Sequence, residues 1–186
     1  MYGPTETTVW STCYNITDAD APVLVGKPIY NTKIFIIDKD NRLLPAGVVG
    51  EVAIGGLGVT KGYHNRQELT DEKFIRFEDE GVVYKTGDQG RFLDDGNIEL
   101  YGRIDNQIKL RGFRIEPGEI ETLLAGIPEV REAVVKVQKF GAGDERLVAF
   151  LNAAPEFKKS NEEIMQLLSR NLPTYMVPSL YQVSDS

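Results

Sequence analysis

The chain has 186 residues, of which 41% are hydrophobic and 26% are charged, a globular mixture long enough for one large domain or two small ones. The net charge of −7 argues against nucleic acid or an anionic membrane as the main partner, because both require a basic surface. The sequence shows no apolar run of about 18 residues, no charged-then-apolar leader and only one cysteine, Cys13, so a reducing, cytoplasmic location is expected.

The first half of the chain has the pattern of an antiparallel β-protein, in which short apolar runs alternate with glycines and turns. Residues 33–38 and 49–54 are predicted strands. Residues 90–93 and 97–101 flank Asp94-Asp95-Gly96, and an Asp-Gly pair between two apolar runs favours a hairpin. The sequence therefore predicts a small antiparallel sheet or barrel in this half.

After Arg103 the pattern changes to that of a mixed α+β unit. Residues 107–110 and 113–116 flank Arg111-Gly112, which predicts a second tight hairpin. Pro117 then stands at a first helical position. Apolar residues follow it at helical spacing, namely Ile120, Leu123, Leu124 and Ile127.

Two more strands and a second helix are predicted beyond this helix. Alternating apolar residues indicate a strand over 133–137, and the apolar run 147–151 indicates a mostly buried strand. Ser160 and Glu163 have the spacing of a capping box at the start of a helix. The whole second half therefore predicts a compact α+β unit, and the short joint at residues 102–106 could act as a hinge.

Five stretches stand out by their composition and their order along the chain. They are Y-G-P-T-E (2–6), G-V-T-K-G-Y-H-N-R (58–66), Y-K-T-G-D (84–88), G-R-I-D-N-Q-I-K-L-R-G-F-R-I-E-P-G-E-I-E (102–121) and L-P-T-Y-M-V-P (172–178). Together they resemble the adenylate-forming enzyme superfamily, and most closely the amino-acid adenylation domains of nonribosomal peptide synthetases. The resemblance covers nearly the whole chain.

The resemblance implies a multi-part α+β fold. Residues 1–104 would be the C-terminal part of the large adenylation domain, with the ATP loop and a small antiparallel β-barrel-like subdomain. Residues 105–186 would be the mobile, compact α+β C-terminal subdomain of this superfamily.

In such an enzyme the Y-G-P-T-E stretch lies beside ATP. The resemblance implies that Tyr2 packs on the adenine, that Thr5 lies near the α-phosphate and that Glu6 is a ligand of Mg²⁺. One glutamate suits this metal, which prefers few carboxylates together with phosphate oxygens. Gly3-Pro4 would set a turn that directs Thr5 and Glu6 to the same side. The alternative is an ordinary Gly-Pro turn with a solvated glutamate.

Two ionisable residues complete the implied ATP site. Asp88 would accept hydrogen bonds from both ribose hydroxyls, because an ionised carboxylate offers several acceptor positions. Arg103 would contact the ribose and phosphate region with its planar, permanently charged guanidinium. The alternatives are a strand-end aspartate that caps a turn and an arginine in a surface ion pair.

The resemblance places a hinge at Asp105, where the C-terminal subdomain rotates between two reactions. In the first, an amino-acid carboxylate attacks the α-phosphate of ATP and pyrophosphate leaves. In the second, the phosphopantetheine thiol of a peptidyl carrier domain attacks the acyl-adenylate, and Lys109 and Gly112 face the active site, where Lys109 would assist. Gly112 would let the pantetheine arm pass close to the backbone, or would serve only as a positive-φ turn residue.

The resemblance also implies that Met1, Val9 and Trp10 line the pocket for the amino-acid side chain. A bulky tryptophan removes pocket volume, which favours a small substrate such as glycine or alanine. The alternative is that Trp10 is a core residue.

Two segments of the family pattern lie outside this chain: the upstream Gly/Ser/Thr-rich phosphate loop and the downstream P-x-x-x-G-K segment with its catalytic lysine. The chain is therefore expected to be a fragment that needs the remainder of the adenylation domain. Alone it would bind ATP weakly, form no adenylate and expose apolar surface.

The remaining candidates are assigned structural roles. The loop with Gly58, Lys61 and Gly62 lacks the P-loop spacing and is expected to support the barrel. His64 is expected at the surface, and Cys13 is expected to be buried or inert. Two other functions stay open: a segment of an acyl-CoA or acyl-acid ligase, and a non-catalytic module that docks a carrier domain.

Overall fold

The computed structural model describes residues 1–18, 20, 22 and 24–184, which fall into two units. The N-terminal unit is Met1–Asp105 and the C-terminal unit is Asn106–Ser186. The fold is α+β, which confirms the predicted class. No helix in the described part of the chain is long and apolar enough to cross a membrane.

The N-terminal unit is built mainly from strands. Its elements in chain order are β1 (Thr12–Cys13), β2 (Lys27–Pro28), β3 (Thr32–Ile37), β4 (Gly50–Gly56), α1 (Gln67–Lys73), β5 (Phe74–Phe77), β6 (Gly81–Phe92) and β7 (Ile98–Arg103). The main sheet is antiparallel with the order β3-β4-β6-β5, and β7 also pairs with β6. Strands β1 and β2 form a separate antiparallel pair.

Strand β6 organises this sheet because it is long enough to pair with two strands on the same edge. Its first residues pair with β5, and its last residues pair with β7. The predicted hairpin at Asp94-Asp95-Gly96 is confirmed, and the side chain of Asp95 accepts a hydrogen bond from the backbone N–H of Asn97 at 2.9 Å. β-Branched residues fill one face of the sheet, as suits a pleated surface, and the buried ones are Ile34, Ile36, Val52, Ile54 and Ile98.

The C-terminal unit combines one sheet, one hairpin and two helices. Its elements are β8 (Ile108–Leu110), β9 (Phe113–Ile115), α2 (Pro117–Ala125), β10 (Val130–Gly141), β11 (Asp144–Ala153), α3 (Asn161–Ser169) and β12 (Leu180–Ser184). The sheet has the order β10-β11-β12, in which β10 is antiparallel and β12 parallel to β11. Strands β8 and β9 form the separate hairpin.

Local sequence signals in this unit are confirmed. The β8–β9 turn has φ of 52° at Arg111 and 82° at Gly112, as a two-residue hairpin turn requires. Pro117 is the first residue of α2. Ser160 Oγ accepts from the backbone N–H of Glu163 at 3.3 Å, and the Glu163 carboxylate accepts from the backbone N–H of Ser160 at 2.7 Å, which completes the capping box.

Both helices pack on the sheet of this unit. Helix α2 contributes Ile120 and Leu124, and helix α3 contributes Ile164 and Leu168, all at most 2% exposed. They join one continuous apolar cluster with the inner face of β10 and β11.

Five of the helices and strands were absent from the sequence prediction, namely β1, β2, α1, β5 and β12. Helix α1 buries none of its residues, so it carries no apolar stripe that a periodicity search could detect. Strand β12 is short and mostly exposed, and its parallel pairing with β11 is what defines it. The first of the two alternatives for Cys13, that it is buried, is wrong, because Cys13 is an exposed residue at the end of β1. His64 is exposed, as predicted.

Candidate nucleotide site

The centre of the candidate site is an ion pair between two neighbouring strands. The register of β6 and β7 places Asp88 directly opposite Arg103. The guanidinium donates to Asp88 Oδ1 at 2.9 Å, and the two side chains are 9% and 13% exposed. Because the carboxylate is shielded from water, its contact with the guanidinium is stronger than that of a surface pair. The alternative considered from sequence, that Arg103 only forms an ion pair at the surface, is therefore wrong.

Arg103 also binds a second aspartate. Its Nε and Nη2 atoms donate to the two carboxylate oxygens of Asp105 at 2.5 and 2.6 Å, a bidentate arrangement. Nη2 additionally donates to the backbone carbonyl of Thr86 at 3.0 Å. One guanidinium thus connects the predicted ribose ligand with the predicted hinge residue, which is the last residue of the N-terminal unit.

Tyr2 reaches this cluster from the other end of the unit. Its backbone forms a bridge with Thr12, with hydrogen bonds of 3.1 and 2.9 Å. Its hydroxyl donates to Asp88 Oδ2 at 2.7 Å, across 86 residues of sequence. Burial and the nearby negative charge of Asp88 raise the pKa of the Tyr2 phenol, so the hydroxyl keeps its proton. Its ring packs partly against the apolar core of the sheet.

Glu6 lies in a one-turn 3₁₀ segment, Thr5–Thr7, and is buried at 8% exposure. Its Oε1 accepts a hydrogen bond from the Tyr63 hydroxyl at 2.6 Å. That hydroxyl is 3.4 Å from the hydroxyl of Tyr84, which belongs to the same strand as Asp88. The alternative considered from sequence, that Glu6 is exposed to solvent, is therefore wrong.

The other predicted site residues lie at the surface of their units. Thr5 is exposed beside the partly buried Gly3. The three predicted pocket residues are also exposed, at 70% for Met1, 62% for Val9 and 55% for Trp10, so the core alternative for Trp10 is wrong. In the C-terminal unit, Lys109 and Gly112 are exposed in the β8–β9 hairpin.

The residues present are compatible with ATP and a divalent cation. Asp88 accepts a hydrogen bond from Arg103 on Oδ1 and one from Tyr2 on Oδ2. A carboxylate has about four acceptor positions, which leaves capacity for hydroxyl donors such as those of a ribose. The described residues contain no group of three His, Cys, Asp or Glu side chains that could hold a metal by themselves. A Mg²⁺ ion at Glu6 would therefore take its other ligands from phosphate oxygens and water, as this ion commonly does.

The sequence analysis missed Tyr63 and Tyr84 as members of this site. Both stand inside the stretches that carry the family resemblance, G-V-T-K-G-Y-H-N-R and Y-K-T-G-D. That location was the available signal, but nothing local indicates that the Tyr63 hydroxyl meets a carboxylate 57 residues away.

Comparisons with known proteins show which family this chain resembles. A family model described as AMP-binding enzyme matches residues 1–64. Tyrocidine synthase 2 from Brevibacillus parabrevis is 46% identical over 182 residues, which is 96% of this chain and 5% of that protein. The chain thus spans only a small part of the curated relatives it matches.

Solved structures agree. A structure of an NRPS protein containing adenylation and PCP domains matches with a TM-score of 0.81 and 26% identity, covering 100% of this chain and 37% of that one. A four-domain nonribosomal peptide synthetase bound to AMP and glycine is 42% identical, with a TM-score of 0.54, over 100% of this chain and 14% of that one.

The chain belongs to the adenylate-forming, AMP-binding enzymes. Within them it belongs with the adenylation domains of nonribosomal peptide synthetases, which confirms the resemblance stated from sequence.

Proposed function

We propose that this chain is the part of an amino-acid-activating ligase that contacts the ribose, phosphates and metal of ATP, together with the small C-terminal subdomain. The ligase joins the amino-acid carboxylate to the α-phosphorus of ATP as the bond to pyrophosphate breaks. The thiol of a phosphopantetheine arm then attacks the carbonyl carbon of the aminoacyl-adenylate, which forms a thioester and releases AMP. The partners are the remainder of the adenylation domain and a peptidyl carrier domain.

The observation that carries this proposal is the convergence of Tyr2, Asp88 and Arg103. They come from three separate segments and form a half-buried network with one carboxylate at its centre. In the proposed complex Asp88 holds the ribose hydroxyls, Arg103 holds the ribose and phosphate region and Tyr2 packs on the adenine. Thr5 and Gly3-Pro4 border the phosphates, and Glu6 is a ligand of the Mg²⁺ that offsets phosphate charge.

The same proposal assigns the hinge to Asp105 and the pantetheine side to the β8–β9 hairpin, with Lys109 and Gly112. It keeps residues 1–104 and 105–186 as two bodies that move relative to each other. Met1, Val9 and Trp10 line the substrate pocket, which we propose accepts a small amino acid. The solved relative bound to AMP and glycine supports a small substrate.

The test is amino-acid-dependent ATP–pyrophosphate exchange by the synthetase polypeptide that carries this segment, with a panel of amino acids. We expect the best exchange with glycine or alanine. Asp88→Asn should raise KM for ATP by about tenfold or more, because a hydrogen bond to a charged group contributes about 1.5–3 kcal/mol. Asp94→Asn, in the exposed turn of the same hairpin, is the matched control and should leave KM unchanged.

Each competing function gives a different result in this assay. Best turnover of a large aromatic amino acid would contradict the small pocket. Activation of a carboxylic acid without an amino group, followed by transfer to coenzyme A, would favour an acyl-CoA ligase. Carrier-domain binding without any exchange would favour a docking module. Residues 1–186 assayed alone test the prediction that they form no adenylate.

A further inference from the structure

The contact between Tyr63 and Glu6 is the one part of the site that the proposed function leaves without a role. The Tyr63 hydroxyl donates to Glu6 Oε1 at 2.6 Å, and Glu6 is 8% exposed. A buried carboxylate has few solvent molecules to hold it, so its orientation depends on protein donors. The Tyr63 hydroxyl therefore helps to orient the Glu6 carboxylate.

Tyr63 is itself held firmly from the backbone side. Gly62 has φ of 125°, and a Cβ at this position would collide with the side chain of Thr70 in α1. The backbone N–H of Tyr63 donates to Thr70 Oγ1 at 2.9 Å, and that hydroxyl donates to the carbonyl of Arg66 at 2.9 Å. The loop is thus fixed against the helix immediately before the tyrosine side chain.

The ring of Tyr63 also has an aromatic neighbour. It packs edge-on against Phe74 of β5 with ring centroids 5.6 Å apart, and Phe74 packs on Tyr84 at 5.0 Å. An edge-to-face contact of this kind favours the observed position of the ring. A side chain restricted at both backbone and ring can direct its hydroxyl at a single acceptor.

We propose that Tyr63 is a positioning residue that orients the Glu6 carboxylate for the divalent cation that accompanies ATP. This inference rests on the proposed function, which makes Glu6 a Mg²⁺ ligand. A neutral hydroxyl suits the task, because it orients a carboxylate without the positive charge that would compete with a cation. Groups that hydrogen-bond to metal ligands act on affinity through such orientation.

The alternative is that Tyr63 only fills space in the aromatic cluster. Tyr63→Phe separates the two, because it keeps the ring and removes the hydroxyl. Tyr101→Phe is the matched control: the Tyr101 hydroxyl also donates to a glutamate, Glu99, at 2.5 Å, but Tyr101 is exposed and Glu99 is only partly buried.

The experiment uses the synthetase polypeptide that carries this segment. Binding of α,β-methylene-ATP is measured by calorimetry over a Mg²⁺ titration, and ATP–pyrophosphate exchange is measured over the same titration. We expect Tyr63→Phe to raise the Mg²⁺ concentration for half-maximal binding by about tenfold. KM for the amino acid should not change, and Tyr101→Phe should match the unaltered protein.

A double-variant cycle tests whether Tyr63 acts through Glu6. In a Glu6→Gln background, Tyr63→Phe should cause no further loss of Mg²⁺-dependent nucleotide binding. Melting temperatures of all variants report whether they are folded. An unchanged Mg²⁺ requirement in Tyr63→Phe, or an equal loss with and without Glu6, would overturn the inference.

The two proposals fail differently. If the unaltered protein binds the nucleotide with Mg²⁺ but shows no amino-acid-dependent exchange, the ligase function is wrong while the calorimetry still decides the role of Tyr63. If the unaltered protein shows no Mg²⁺-dependent nucleotide binding at all, both proposals are wrong.

Discussion

The interior of the N-terminal unit contains both polar and apolar residues, whereas the interior of the C-terminal unit is almost entirely apolar. Among the described residues, the buried polar and charged side chains of the first are Glu6, Thr7, Ser11, Thr12, Thr86 and Asp88, and of the second Gln107. The C-terminal unit instead has one continuous apolar cluster that includes both helices. The N-terminal unit divides its apolar residues between two smaller clusters.

This difference matches the proposed work of each unit. Buried polar groups that satisfy one another are rigid, and the proposed function assigns the Tyr2–Asp88–Arg103 network to ATP. The C-terminal unit has its candidate functional residues, Lys109 and Gly112, on an exposed hairpin over an apolar core. The apolar core of the C-terminal unit therefore stabilises that unit, whereas the buried polar groups of the N-terminal unit form the candidate site.

The strongest test of the comparison is a cavity in the apolar core. Leu124 of α2 is fully buried, so Leu124→Ala should lower the free energy of unfolding by about 3 kcal/mol through lost contacts and an unfilled cavity. Urea unfolding of residues 1–186, followed by far-ultraviolet circular dichroism, measures this. Leu167→Ala on α3, where the side chain is 40% exposed, is the control and should cost much less. Equal losses in the two variants would contradict a well-packed core.

A second test removes one hydroxyl from the polar interior. Tyr2→Phe deletes the hydrogen bond to Asp88 and should lower the free energy of unfolding by about 2 kcal/mol, because the acceptor is charged and shielded. The chain has one tryptophan, Trp10, and it lies in the N-terminal unit, so its fluorescence follows unfolding there. Tyr30→Phe, at a residue that is 98% exposed, is the control. No loss in Tyr2→Phe would mean that the network contributes little to stability.

A third test concerns Tyr181, whose buried hydroxyl is an exception in the apolar interior of the C-terminal unit. Tyr181 of β12 is buried, and its hydroxyl has no hydrogen-bond partner among the described residues. Because an unpaired buried hydroxyl is unfavourable, Tyr181→Phe should raise the free energy of unfolding by about 1 kcal/mol at neutral pH. Tyr30→Phe again serves as the control. A destabilised Tyr181→Phe would show that the hydroxyl does have a partner.

The same tyrosine gives a pH dependence. Burial raises the pKa of Tyr181 to about 12, above the value of about 10 for an exposed phenol. The unfolded chain therefore releases this proton first, so the free energy of unfolding is unaffected by this group below pH 10 and falls as the pH rises toward 12. The free energy of unfolding, measured by urea unfolding across this pH range, should fall less steeply with pH for Tyr181→Phe than for the unaltered chain.

Features with a local cause could be predicted from the sequence. The Asp94-Asp95-Gly96 turn, the Arg111-Gly112 turn and the Ser160–Glu163 capping box each depend on residues within a few positions of one another, and all three are confirmed. The composition of the five motifs and their order along the chain were enough to indicate the family. Helix α1 and strand β12 were missed since neither has an internal apolar pattern.

The tertiary structure decided which of the motif residues meet. Tyr2 and Asp88 are 86 residues apart, and Glu6 and Tyr63 are 57 apart. Whether two such side chains form a hydrogen bond depends on the register of β6 with β7, on the bridge that anchors Tyr2, and on the loop held against α1. The sequence thus determined which residue types are available and how each segment folds locally. Strand pairing over long separations determined their distances, because hydrogen bonds act over about 3 Å and only the assembled sheet brings the atoms that close.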